Sequence, residues 1–493
     1  MPRIDYAAAP PAKHHADLLV LPVFEGPEAG PGLKEAGKAM AEDLLALLRR
    51  NGVKGKRGEA FSVPTFGRLP AGTLLLVGLG KRDQVDADRL RRTIGKLASR
   101  FQGYGNVATT LPQAARGPWE EAVQAVAEGL VLGGYRFLRY KKDDGERKLR
   151  RLTLLGSSRW DERRAKRAAK RGEVVAEAAG WARDLVNTPA IDATPDFLAS
   201  EARKMAREVG LEVKVWTKRR LEEGGFGGIL GVGAGSANDP RLIELTYSGG
   251  SGKPIALAGK GITFDSGGLS LKDAKQMEWM KADMAGAAAV LATMRAIATL
   301  KPKVNVVAVV PSAENMPGGA AIRPGDVLRH RGGKTTEVLN TDAEGRLILA
   351  DALAYLAEKK PRLIVDTATL TGACMIALGE QLWGVMANDD DLARKLIAAG
   401  KDAGEPGWQL PLWDGYREQI SSTVADVKNI GSRYGGAINA ALYLSEFVGD
   451  IPWAHLDIAG VAFAQNGGDY GPKGATGTPV RTLVRFVVDQ AGR

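Results

Sequence analysis

Short aliphatic, β-branched runs alternate along this chain with stretches of helical spacing. Each run must find neighbouring strands and cover both its faces, so the alternation restricts the chain to α/β architectures. Early on, DLLVLPVF (17–24) and TLLLVGLG (73–80) read as strands, and RKLRRLTLLGSS (147–158) ends in another. AMAEDLLALLRR (39–50) and ADRLRRTIGKLASRF (87–101) read as helices. Further on come PIALAGKGITFD, VNVVAVVPSAEN, RLIVDTATLTG and WAHLDIAGVAF, with helices GAAAVLATMRAIATL and RLILADALAYLAEKK among them. These later strands are almost continuously apolar, as strands of a sheet buried on both faces are.

At 493 residues the chain exceeds what one hydrophobic core usually covers. The reading is a smaller N-terminal α/β domain over 1–160, a linker helix over 161–186, and a larger α/β/α domain over 187–493 with a central mixed sheet. The Pro-punctuated NTPAIDATP turn marks where the second domain begins. The single cysteine, Cys374, rules out an internal disulfide framework and is compatible with a reducing cytoplasm. Its small, apolar neighbours read as those of a buried, inert thiol. No run approaches the roughly 18 uninterrupted apolar residues of a membrane span. LLVLPV near the start is shorter than the roughly 7–15 residue core of a secretory signal. The expectation is a soluble, cytoplasmic protein.

The net charge of +11 is concentrated in one stretch: residues 136–173 carry 15 Lys/Arg against 6 Asp/Glu. A solvated helix face explains most such runs, although one this basic could also track phosphates. Two Gly-rich candidates fail on spacing. In GVGAGS the third glycine of a dinucleotide loop falls on Ser236, and phosphate-loop spacing before GGKTT would need glycine at Leu328. No G-x-S-x-G elbow is present. The His14–His15 pair lies in a Pro/Ala-rich start, and His455, in a strand-like run, reads as a core or interface histidine.

The chemistry collects elsewhere. LAGKGITFDSGGLSLK (257–272) ends an apolar strand with Lys260, Asp265 and Lys272 around a Gly-rich turn, and Asp283 follows before a small-residue helix. LNTDAEGRL (339–347) adds Asp342, Glu344 and Arg346, which would share one face if the segment were extended. Four carboxylates at buried strand ends could not stay ionised together without about two divalent cations. A site this rich in oxygen suits Mg²⁺ or Mn²⁺, and carboxylates also bind Zn²⁺. Such cations can activate water against a carbonyl or a phosphoryl group, so a peptidase and a two-metal phosphatase both fit.

GKGITFDSGGLSLK, MKADMAGAAA, NTDAEGRL and TATLTGA closely resemble the leucyl aminopeptidase (cytosol aminopeptidase) family. The resemblance continues through NTPA, SSTVADVKN, WAHLDIAG and GATGTPVRTL, covering 180–490, and is loose in the N-terminal part, at LLLVGLGK (74–81). It implies an aminopeptidase acting on peptides, with two divalent metal ions, Mn²⁺ or Zn²⁺. Lys260, Asp265, Asp283 and Glu344 would ligate one ion and Asp265, Asp342 and Glu344 the other. Lys272 would steady the developing oxyanion and Arg346 would hold a bicarbonate acting as general base. Met280, Thr369, Leu370 and Gly372 would shape the substrate pocket. To ligate a metal Lys260 must be neutral, so its pKa is expected to be depressed. The resemblance further implies a homohexamer, a dimer of trimers, and some family members have a DNA-binding role.

Overall fold

The structure, a computed structural model, describes residues 2–142, 145 and 148–491. It divides into two compact units, residues 1–180 with 466–472, and residues 181–465 with 473–493.

In the first unit the strands lie in the order Arg3–Ala7, Arg151–Leu155, Asn106–Thr109, Ala16–Phe24, Ala71–Gly78 and Ala60–Pro64, with Glu28–Ala29 beside Ala16–Phe24. Ala60–Pro64 and Glu28–Ala29 run antiparallel to their neighbours; the other pairs are parallel. Alternation explains the apolar runs. Leu18, Val20, Leu75 and Val77 pack with helices Ala87–Phe101 and Trp119–Gly133, while Leu19, Leu21, Leu74 and Leu76 pack with Leu33–Met40 and Leu44–Arg50 on the other face. The helix expected over 39–50 is therefore two helices. Ala41 adopts a left-handed φ of 52°, and Asp43 caps the second helix by accepting from the Leu45 and Ala46 amides, both at 3.0 Å. In the stretch 147–158 the strand is Arg151–Leu155, and Arg147 lies outside the described residues.

The second unit holds a nine-stranded mixed sheet. Its order is Gly407–Gln409, Trp383–Ala387, Trp453–Asp457, Leu363–Ala368, Ile255–Gly259, Asn305–Asn315, Arg241–Ser248 and Glu212–Trp216, with Gly261–Asp265 against the far part of Asn305–Asn315. The central strands are parallel, and Trp383–Ala387 and Arg241–Ser248 run against their inner neighbours. Ala256, Ala258, Val307, Val309 and Ile364 pack with helices Gly345–Glu358 and Gly436–Ser445. Helix Ala285–Leu300 packs on the same strands, serving the alternate side chains. Met280–Leu300 is long and apolar enough to cross a membrane, but it is largely buried within the protein, where it serves as a core helix.

The parallel strands share a direction, so their carboxyl ends open at one edge, which is where open α/β sheets bind ligands. Lys260 follows Ile255–Gly259, Asp265 ends Gly261–Asp265, Asn315 ends Asn305–Asn315, and Thr369 follows Leu363–Ala368. The fold thus delivers side chains far apart in sequence to one place.

Candidate active site

LNTDAEGRL is not extended. A turn at Thr341–Asp342 leads into helix Gly345–Glu358, with Glu344 at its N-cap and Arg346 in its first turn. Asp342 and Glu344 converge because the chain turns, and Arg346 points elsewhere. Neither acid is part of a solvated loop: Glu344 is 1% exposed and Asp342 half-buried. Gly345 has a steric task, since a Cβ there would lie 2.6 Å from Lys260 Nζ. Gly267 and Gly268 take left-handed φ values of 86° and 64°, folding the turn so that the Gly267 amide donates to Asp265 Oδ1 at 2.9 Å.

Lys260, Asp265, Asp283, Asp342, Glu344 and Lys272 come together in one cluster. Lys260 Nζ lies 2.8 Å from Asp283 Oδ1 and 2.8 Å from Glu344 Oε1, and donates to the Thr369 carbonyl at 3.0 Å. Lys272 Nζ lies 2.9 Å from Asp265 Oδ2 and also pairs with Asp342 Oδ1. Asp265, Asp342 and Glu344 each offer an oxygen within 4.8 Å of the others, a spacing one cation could span.

Four carboxylates face two lysines, leaving two negative charges uncompensated within the cluster. Burial and then the neighbouring acids push Glu344 up to about 8 and Asp283 up to about 6, and Asp342 is also raised. Burial alone would lower the two lysines, but the acids outweigh it and hold both above the usual lysine range. Lysines and acids rise together because the cluster as a whole is short of positive charge. The depression expected at Lys260 is therefore the reverse of what the side chains alone produce; only cations taking over its charge-balancing role could bring it about.

Two buried oxygens of this cluster, Asp283 Oδ2 and Glu344 Oε2, have no hydrogen-bond partner among the described residues. Buried acceptors left unpaired are costly, and hard, oxygen-binding cations satisfy both these atoms and the charge deficit. The donor set fits divalent metal ions.

Arg346, 8% exposed, donates from Nη1 to the Asn429 carbonyl at 2.8 Å, while its Nε is buried without a partner. Burial lowers its pKa, and among the described residues no carboxylate lies within ion-pair distance. A buried guanidinium so placed suits a small anion. Of the expected pocket residues, Met280, Thr369 and Leu370 are half-buried and Gly372 is exposed, with nothing within 4 Å of where its Cβ would stand. Thr369 Oγ1 donates to Asp283 Oδ1 at 2.6 Å, tying that segment to the acids. Cys374 is buried, and burial raises its thiol pKa well above the usual range, consistent with an inert role.

Two asparagines that the sequence reading passed over organise the site. Asn315 Nδ2 donates to Asp265 Oδ1 at 2.8 Å and to the Thr341 carbonyl at 3.0 Å, joining the two acidic loops. Asn429 braces the other side, accepting from the Leu339 amide at 2.8 Å and donating to the Asn340 carbonyl at 2.7 Å. Their signal was an amide closing VPSAEN and STVADVKN, where a polar side chain follows a structured run.

Comparison with known proteins extends over most of the chain. The model of the cytosol aminopeptidase family catalytic domain matches residues 180–484, and that of the family's N-terminal domain residues 20–144. A probable cytosol aminopeptidase of Geobacter sp. (strain M21) is 45% identical over 492 residues, covering 98% of this chain and 99% of its own. One from Syntrophotalea carbinolica is 46% identical over 476 residues, covering 95% and 96%. Among solved structures, tomato leucine aminopeptidase, as a mutant, aligns with a TM-score of 0.88 at 34% identity, over 99% of this chain and 97% of its own. The bottromycin maturation enzyme BotP in complex with Mn aligns at 0.86 and 38%, over 97% and 100%. Fold and relatives together define a metallo-aminopeptidase. The chain belongs to the cytosol aminopeptidase family, whose activity is metal-dependent removal of N-terminal amino acids.

Proposed function

We propose that the chain releases the N-terminal residue of peptides and aminoacyl amides with two divalent cations, Mn²⁺ or Zn²⁺, bound in the acidic cluster. Lys260 and Asp283 would serve one ion, Asp342 the other, and Asp265 and Glu344 both. When bound, the ions supply Lewis-acid polarisation and lower the pKa of water. Lys272, charged and half-buried beside Asp265, is the donor for the oxygen on which negative charge develops. Arg346 would hold a bicarbonate, which supplies general-base chemistry at a position water does not reach freely. Met280, Thr369, Leu370 and Gly372 line the space for the first side chain of the substrate.

The observation that carries this reading is the pair of unpartnered, buried oxygens, Asp283 Oδ2 and Glu344 Oε2, in a cluster short of two positive charges. It is tested by chelating the protein and titrating Mn²⁺ or Zn²⁺ back while following leucine amide hydrolysis and bound metal. Two ions per chain with activity returning alongside them are expected. Activity that survives full removal of metal would sink the reading.

A cytoplasmic homohexamer is the assembly proposed, from the family resemblance, and light scattering that gives a monomer mass would reject it. Nucleic-acid binding by residues 136–173 is kept as a secondary reading, tested by whether binding to DNA weakens steeply with salt. Lys166 pairs with Glu162 at 2.6 Å and Lys170 with Glu173 at 2.6 Å along one helix, and Arg164 pairs with Glu120 of another. Asp143, Asp144, Glu146 and Arg147 of that stretch lie outside the described residues.

A further inference from the structure

The segment Thr369–Gly372, read above as part of the substrate pocket, rests on a carboxylate that the proposed chemistry does not use. Asp457 ends strand Trp453–Asp457, next to Ala368 in the parallel register, and is 0% exposed. Its Oδ2 accepts from Thr371 Oγ1 at 2.6 Å. Its Oδ1 faces the amides of Leu370 at 3.3 Å, Thr371 at 3.4 Å and Ala459 at 3.2 Å. Among the described residues it makes no ion pair; its direct partners are N–H and O–H dipoles, with the buried Arg346 cation acting on it through space. A carboxylate is costly to bury in this way, and the groups it meets belong almost entirely to one short segment.

Thr371 passes the constraint on. While its hydroxyl donates to Asp457, it accepts from the Cys374 amide at 3.0 Å, capping helix Gly372–Leu378. The hydroxyl has one proton and it goes to Asp457, so the side chain has a single satisfied orientation. On the opposite side the Thr369 carbonyl accepts from Lys260 at 3.0 Å and the Thr369 hydroxyl donates to Asp283 at 2.6 Å. Residues 369–371 are thus clamped between the acidic cluster and Asp457, leaving Leu370 half-buried and Gly372 open.

We propose that Asp457 is a positioning residue for substrate selection, setting where Thr369–Gly372 meets the first side chain of the substrate. The proposal rests on the reading of that segment as pocket wall. It is tested with Asp457→Asn, which keeps size but puts a donor amide where only acceptors fit, and with Thr371→Val, which deletes the bridging hydroxyl. Steady-state kinetics over a panel of aminoacyl amides are read with metal content and with calorimetry of free leucine. In Asp457→Asn, metal content should match the parent, KM for the preferred amide should rise about tenfold, the effect of one lost charge-assisted hydrogen bond, and kcat should change by less than about threefold. The preference among amides should flatten, and leucine should bind more weakly by the same factor as KM. Thr371→Val should shift in the same direction, and Thr371→Ser, which keeps the hydroxyl, should restore the parent values.

A folded, metal-loaded Asp457→Asn with the parent KM and preference overturns the proposal. So does a drop in melting temperature with unchanged constants per metal-loaded site, the mark of a purely structural role. If Asp457→Asn does not fold, Thr371→Val decides on the same criteria. Leu370→Ala separates the two levels. If it leaves the preference unchanged, the pocket reading fails and this proposal with it; if it shifts the preference while Asp457→Asn and Thr371→Val do not, only the role of Asp457 fails.

Discussion

Replacing Arg346 with alanine should separate catalysis from stability. The guanidinium is buried and, among the described residues, makes one hydrogen bond, to the Asn429 carbonyl at 2.8 Å, with Nε unpaired. Losing a charged hydrogen bond costs about 1.5–3 kcal/mol, but removing a desolvated cation without a carboxylate partner returns part of that. The net change in unfolding free energy should stay within about 2 kcal/mol. If Arg346 holds the general base, kcat should fall about 10²–10⁴-fold, the usual worth of positioned proton transfer. That corresponds to about 3–5 kcal/mol of transition-state stabilisation, clearly more than the stability cost. The assay is leucine amide turnover in buffers stripped of bicarbonate and supplemented with it, alongside urea unfolding and metal analysis. The parent should respond to bicarbonate; Arg346→Ala should retain its metal, unfold near the parent midpoint and ignore bicarbonate. A variant that keeps more than about a tenth of kcat, or remains bicarbonate-responsive, would show that Arg346 does not hold the general base.

Other outcomes follow from the same geometry. Asp265→Ala and Glu344→Ala should lose bound metal and activity together, whereas Lys272→Ala should keep metal and lose turnover; full metal occupancy in Asp265→Ala would end its assignment as a shared ligand. Burial alone would lower the pKa of His455, but Asp366 at 2.5 Å raises it above the ordinary 6.5. A raised folded value stabilises most below that pH, and the contribution is lost as pH climbs through it, so the melting temperature should fall on the alkaline side and Asp366→Asn should flatten the slope. Arg91 and Glu128 form a buried ion pair at 2.6 Å between two helices of the first unit. Glu128→Ala should cost about 3 kcal/mol in urea unfolding, and a loss below about 1 kcal/mol would show the pair to be dispensable.

Much of this was legible in the sequence for a physical reason. A strand buried on both faces must be apolar throughout, so Leu18–Phe24 and Ile255–Gly259 announce themselves, and charges placed just beyond such strands stand out against them. Lys260 and Asp265 were visible on that ground, and Asp283 as a lone charge before the apolar helix Ala285–Leu300. The turn-to-helix geometry at Asp342–Arg346 was not, because Glu344 at an N-cap and Glu344 on a strand look alike in a short charged run. The break at Ala41 was hidden for a similar reason: the apolar spacing runs on across it, and only the local capping by Asp43 marks it. Asn315, Asn429 and Asp457 act through contacts 26 to 90 positions away in the chain, which no local pattern encodes.

An acidic cluster that holds two divalent cations would serve a reaction requiring a free amino terminus. A neutral amine is a good donor to a divalent ion held by these acids, and anchoring it would turn binding into orientation. The direct measurement is a mass-spectrometric time course on one leucine-led peptide presented with a free and with an acetylated amino terminus, in the presence of Mn²⁺ or Zn²⁺. Stepwise loss of single residues from the free peptide, with the acetylated one intact, is the predicted result. Comparable cleavage of both, or cutting inside the blocked peptide, would contradict it.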